Sequence, residues 1–139
     1  ERIFVKENNR MKKRVIGFTC VCMAVLMIGM TVFAASASFN TYLPIHQGDN
    51  EISTIKKEST YDYFMVNFSS IGSGTTKVCV WTEKPGGGNY SSPSKQVGTG
   101  MNVVKYTTTP EVGKNVVLNM DNPVYVSYTV PVSGVWTPN

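Results

Sequence analysis

Tyr61-Asp62-Tyr63-Phe64-Met65-Val66-Asn67-Phe68-Ser69-Ser70 is the stretch that decides the fold. Its side chains alternate. Phe64, Val66 and Phe68 fall on one face of an extended chain, and Tyr61, Tyr63, Met65 and Asn67 on the other. That period of two is what a half-buried strand requires. No sustained 3.6-residue apolar pattern occurs anywhere after residue 38, so helices are not expected there.

The same reading extends to both sides of this run. Upstream, Ser38 to Leu43 reads as a strand closed by Pro44. Gly48-Asp49-Asn50 reads as a turn, and Ile52 to Lys56 as a weak strand or a short helical turn. Downstream, Gly72-Ser73-Gly74 is a turn before Thr75 to Glu83. In that strand Val78 and Val80 share one face, and Lys77, Cys79 and Trp81 the other. Lys84 to Asn89 (KPGGGN) reads as a flexible hairpin tip, and Ser91 to Ser94 extends the loop.

Met101 to Thr109 is the next strand, closed by Pro110. After the tight turn Gly113-Lys114, Asn115 to Met120 is short and apolar and ends at Asp121-Asn122-Pro123. Val124 to Val130 alternates again, with Val124, Val126, Tyr128 and Val130 on one face. Val132 to Thr137 closes the chain as an edge piece, because Pro131 lacks the N–H that a central strand donates. Turn signals about every 8 to 12 residues predict an all-β domain. The expected architecture is a small antiparallel β-sandwich of about six to eight strands, Ig-like or jelly-roll-like.

The N-terminal region reads differently. Met11 is followed by Lys12, Lys13 and Arg14, then by the 19-residue apolar run Val15 to Phe33, then by Ala34-Ala35-Ser36-Ala37. A basic start, an apolar stretch and an A-x-A exit predict a signal-peptide helix over residues 11–37, cleaved after Ala37. The run is long enough to span a bilayer. Gly17, Thr19, Gly29 and Thr31 dilute it, however, and the cleavage site follows at once. The membrane is therefore expected to be met only during export. Cys20 and Cys22 lie too deep in the run for a lipoprotein. Residues 1–10 read as an over-extended N-terminus outside the fold. Residues 38–139 are the expected secreted domain.

The formal charge of +4 divides unevenly at that boundary. Residues 1–37 carry six basic and two acidic side chains. Residues 38–139 carry seven lysines, seven acids and no arginine. The domain is thus neutral overall. It lacks the extended basic surface and the bidentate guanidinium that nucleic-acid recognition uses, so no nucleic-acid partner is expected. Cys79 is its only cysteine, which rules out an internal disulfide. A chain of this length forms one domain with a real core.

Chemistry-bearing residues are sparse. His46 is the single histidine, it lies in a Pro/Gly-rich loop, and no G-x-S-x-G elbow occurs. Cys79 sits inside a strand, where a buried inert thiol is expected. The glycine-rich tip is not followed by a helix, as a phosphate loop would be. Cys79 and His46 are too few for zinc, and Asp49, Asn50, Glu51 and Asp121 lack calcium-loop spacing. No enzyme, metal or cofactor is expected. Leu43 to Gly48 (LPIHQG) lacks the threonine of a wall-sorting signal, so covalent wall anchoring is not expected either.

The aromatic residues carry the functional expectation. If Phe64, Val66, Phe68, Val126 and Tyr128 face the core, then Tyr61, Tyr63 and Tyr125 face outward, with Trp81 beside them. Exposed tyrosine and tryptophan rings can hold sugar rings or a protein partner. Tyrosine also favours strands, and cross-strand aromatic pairs stabilise sheets with no ligand at all.

Certain local patterns also resemble an uncharacterised family of small secreted β-rich proteins from Gram-positive bacteria. The points of likeness are the signal peptide, Gly72-Ser73-Gly74 before a strand ending in Val80-Trp81, Gly113-Lys114 before a short apolar strand, and the closing Val132-Ser133-Gly134-Val135-Trp136. The resemblance implies export and a β fold and supplies no catalytic residues. The expectation is a secreted, non-enzymatic module that binds at the cell envelope or to an extracellular glycan or protein. The alternative is a secreted bacteriocin-like antimicrobial or toxin. A neutral, arginine-free domain argues against attack on anionic lipid but leaves a receptor-directed toxin open.

Overall fold

The computed structural model describes residues 34–45, 50–93 and 95–139. Eight strands follow one another: β1 (Ala37–Leu43), β2 (Asn50–Lys56), β3 (Tyr63–Ile71), β4 (Val78–Glu83), β5 (Gln96–Val97), β6 (Gly100–Lys105), β7 (Asn115–Asp121) and β8 (Val130–Thr137). There is no helix among the described residues. The expected signal segment up to Phe33, residues 1–10, His46 and the Gly48-Asp49 turn lie outside them.

The pairing is nested. β1 pairs with β8, β2 with β7, β3 with β6 and β4 with β5, every pair antiparallel. The chain is therefore one long hairpin whose tip lies between β4 and β5. Two further antiparallel pairings, β3 with β8 and β4 with β7, roll that hairpin up. The result is two four-stranded sheets, ordered β1-β8-β3-β6 and β2-β7-β4-β5.

The alternation read from the sequence explains the core. Phe64, Val66 and Phe68 of β3 are buried as predicted. They join Val104 and Trp136 of the first sheet and Val80, Val116 and Leu118 of the second in one apolar cluster. Phe39 meets Phe68 edge to face at 5.5 Å, a geometry the ring quadrupoles favour. Trp136 Nε1 donates to Ser53 Oγ at 2.7 Å and ties β8 to β2 across the core.

Three expectations are corrected. Residues 124–129 are not a strand but part of the connection between β7 and β8. There the side-chain amide of Asn122 donates to Pro44 O (2.7 Å) and Tyr128 O (3.1 Å), and Val126 N–H bonds Pro123 O (2.8 Å). These bonds replace a ladder. Val126 is buried, but Tyr128 is exposed rather than in the core.

Pro131 does not mark an edge either. β8 is central, flanked by β1 and β3. Its proline is tolerated because its carbonyl accepts from Gly72 N–H (2.9 Å), just past the end of β3. In an antiparallel strand a residue's N and O point to the same side. The missing N–H thus faces a place where the ladder has already ended. The ring also fits only because Gly72 has no Cβ, which would come within 2.5 Å of Pro131 Cδ.

The strand expected to run to Thr109 stops at Lys105. Tyr106 N–H turns to Asp62 O (2.9 Å), and Thr107 N–H to Tyr90 O (2.7 Å). The two-residue β5 and the full length of β2, with its bulge between Glu51 and Ser53, were not anticipated.

Candidate functional site

Strand directions sort the connections into two groups. Among the described residues, 57–62, 84–93, 95 and 106–114 gather at one end of the strands, and 44–45, 72–77, 98–99 and 122–129 at the other. The first end holds the aromatic pair. Tyr61 and Tyr63 stack with ring centroids 5.3 Å apart and planes 24° from parallel. Tyr61 is 57% exposed.

The apolar surface continues from Tyr63 along the face of the first sheet that points away from the core. Met65 lies opposite Val103, and Asn67 lies between Met101 and Val135. Met101 and Val103 are 62% and 57% exposed, and Val135 is exposed as well. The band is therefore Tyr61, Tyr63, Met65, Val103, Met101 and Val135, drawn from three strands and one loop. Sequence reasoning found the two tyrosines and missed Met101, Val103 and Val135. Alternation about Val104 would have pointed Met101 and Val103 outward, but only the register of β6 on β3 brings them beside Tyr63.

Tyr61 is held by its own backbone. Lys57 is fully buried, and its Nζ donates to Tyr61 O at 2.6 Å and to the backbone oxygen of Asn139. It lies 5.2 Å from the centre of the Tyr106 ring. Burial pulls the Lys57 ammonium below its ordinary value, and Asp62 opposes that shift. Tyr106 is packed against Phe64 (5.5 Å) and Tyr90 (6.4 Å). Burial, and then Tyr90, push its phenol well above the usual range.

The other expected site residues stand apart. Tyr125 is 65% exposed but belongs to the 122–129 connection at the opposite end. The nine-residue β3 separates the two ends by roughly 25 Å. Tyr42, Val124 and Tyr128 are exposed at that far end too.

Trp81 does not face solvent. It is 4% exposed, lies on β4 of the other sheet, and donates its Nε1–H to Glu83 Oε1 at 2.7 Å. Alternation separates the two faces of a strand without saying which is wet, and β4 is buried on both. The structure thus brings Tyr61 and Tyr63 together and leaves Tyr125 and Trp81 elsewhere.

Reactive chemistry is not prominent. Burial raises the Cys79 thiol, and Asp121 raises it further, which disfavours the thiolate form. Among the described residues, no group of three or more His, Cys, Asp or Glu could hold a metal ion. The surface offers broad apolar and aromatic contact instead. No family model, curated protein or solved structure matches the chain.

Proposed function

We propose that this protein is a secreted, non-enzymatic module that binds at the cell envelope or to an extracellular glycan or protein partner, using the band that starts at Tyr61 and Tyr63. The observation that carries the reading is the stacked tyrosine pair continued by Met65, Val103, Met101 and Val135 on a solvent-facing sheet surface. Contiguous exposed apolar surface of this kind favours a partner over water. Stacked rings supply rigid, amphipathic contact area at low entropy cost.

The fold we assign is a jelly-roll β-sandwich. Nested pairing of eight strands into orders 1-8-3-6 and 2-7-4-5 supports it. Such a scaffold hosts many functions, so the role rests on the surface and not on the fold. The Ala37–Ser38 cut expected from the sequence falls one residue inside β1. Processing at that bond is compatible with a strand that still pairs from Ser38 with Val135 onward.

The test is co-sedimentation of the purified protein with bacterial cell walls and with insoluble polysaccharides. Saturable binding is expected. It should be lost in the double variant Tyr61→Ala/Tyr63→Ala and kept in Tyr125→Ala. Equal binding by the double variant would reject the site. No binding by the unmodified protein, together with inhibition of bacterial growth, would turn the assignment to a secreted effector.

A further inference from the structure

Six of the seven lysines in residues 38–139 lie on or next to the three connections that also hold Tyr61, and Lys77 alone lies toward the other end. Three of them, Lys56, Lys84 and Lys114, line one cleft of about 770 Å³. That volume falls within the rough 300–1,000 Å³ range of small-ligand sites. All three residues are exposed, and among the described residues none of them makes an ion pair.

Among the described residues, Glu111 is the single acid on the cleft wall. Glu83, next to Lys84 in sequence, is engaged by the indole N–H of Trp81. Lys105, outside the cleft, is spoken for by Asp62 at 3.6 Å. A domain with balanced charge therefore gathers a local excess of two positive charges in one concave place.

The lysines are fixed at their roots. Lys84 N–H bonds Gly88 O (2.9 Å), and Gly87 N–H returns to Lys84 O (3.0 Å). Lys114 N–H bonds Glu111 O (3.2 Å), and Lys114 O accepts from Lys57 N–H (2.9 Å). Thr107 and Thr108 both donate their N–H groups to Tyr90 O, at 2.7 and 3.1 Å, which joins two of the three connections.

Tyr90 lies in the cleft wall with the Lys84 ammonium 5.7 Å from its ring centre, and Pro85 and Pro110 add apolar surface. Thr108 and Thr109 add hydroxyl groups. Cations and hydroxyls beside apolar proline surface together fit a chain that carries anions on a carbon backbone. Ammonium groups act as point charges and do not demand the planar, two-pronged partner that arginine selects. Phosphate and carboxylate are therefore both admissible.

We infer that this cleft binds an anionic glycopolymer, a polyol or sugar chain bearing repeated phosphate or carboxylate groups. The inference deepens the envelope-binding reading and rests on it for the setting, since Lys56 and Tyr63 flank the one short connection that holds Tyr61. The cleft and the tyrosine band are separate surfaces, so each can fail without the other.

The experiment titrates the purified protein, at low ionic strength, with soluble poly(glycerol phosphate), with polygalacturonate and with neutral dextran. Binding to one or both polyanions and not to dextran is expected, and the preferred arm identifies the anion. The exposed triple variant Lys56→Gln/Lys84→Gln/Lys114→Gln should weaken that binding by about tenfold or more. Lys77→Gln, which removes one charge at the other end, should change it by less than about twofold. Thermal midpoints of the variants should match that of the unmodified protein. Undiminished polyanion binding by the folded triple variant would overturn the inference, as would equal affinity for dextran or no binding to either polyanion. Loss of wall binding in Tyr61→Ala/Tyr63→Ala with none in the lysine variant would leave the tyrosine site standing and remove the cleft.

Discussion

Tyr106 keeps a hydroxyl inside the protein with no hydrogen-bond partner among the described residues. A buried polar atom left unbonded forfeits the water it had in the unfolded chain, at a cost of about 1–3 kcal/mol. Tyr106→Phe removes that atom and keeps the ring contacts with Phe64 and Tyr90. It should be neutral or stabilising by about 1 kcal/mol, read from urea midpoints at neutral pH.

The pH dependence follows from the same burial. The folded phenol keeps its proton above the ordinary value of 10.0, where the unfolded one loses it. Its contribution is present below pH 10.0 and is lost as pH rises further. The raised Cys79 thiol acts in the same direction from its ordinary value of 9.0. Lys57 acts in the opposite direction. Its lowered ammonium is a penalty at neutral pH that is relieved as pH rises toward 10.5 and adds nothing beyond it. Tyr106→Phe should therefore lose less stability than the unmodified protein between about pH 9 and about pH 11. An identical loss in both proteins would show that the phenol is not the group that titrates.

At the scale of the element, β8 is the strand least tolerant of change. A Cβ at Gly134 would run into the backbone oxygen of Asn67 and come within 2.8 Å of Phe39 Cζ. A neighbouring strand's backbone cannot step aside as a flexible side chain would. Gly134→Ala should destabilise by about 3 kcal/mol. That lowers the thermal midpoint by roughly 10 °C or more in a domain of this size, and a midpoint within a few degrees of the parent would contradict the packing described.

Strands were legible where one face is wet and the other dry, as in β3. Elsewhere the alternation was misleading for identifiable reasons. Val124 to Val130 alternates well, yet the Asn122 amide satisfies its backbone neighbours and holds it as a loop. β5 is two residues long and leaves no period to read. Pro131 looked like an edge marker because the place where β3 ends cannot be seen in one strand's sequence. The candidate site was legible in part for the same reason. Tyr61 and Tyr63 share one stretch of chain. Met101, Val103 and Val135 come from two others, and only register unites them.

For the whole molecule, the nested pairing makes nearly every strand contact long in sequence. β1 pairs with β8 although some 90 residues lie between them, from Leu43 to Val130 at the closest. Domains built on such contacts fold in roughly milliseconds to seconds, because loop closure must precede the gain in burial. Removing residues 130–139 would take away the strand between β1 and β3, together with Trp136 and its bond to Ser53. The shortened chain should show no cooperative unfolding transition by circular dichroism or calorimetry. A sharp transition would mean that the remaining strands close a core of their own.

The central position of β8 also has a consequence for how the protein is made. The strand that joins β1 to β3 is made after both of them, so the first sheet cannot close until residues 130–137 have been synthesised. Until then β1 and β3 have no strand between them, and the nascent chain keeps their apolar faces open to chaperones and proteases.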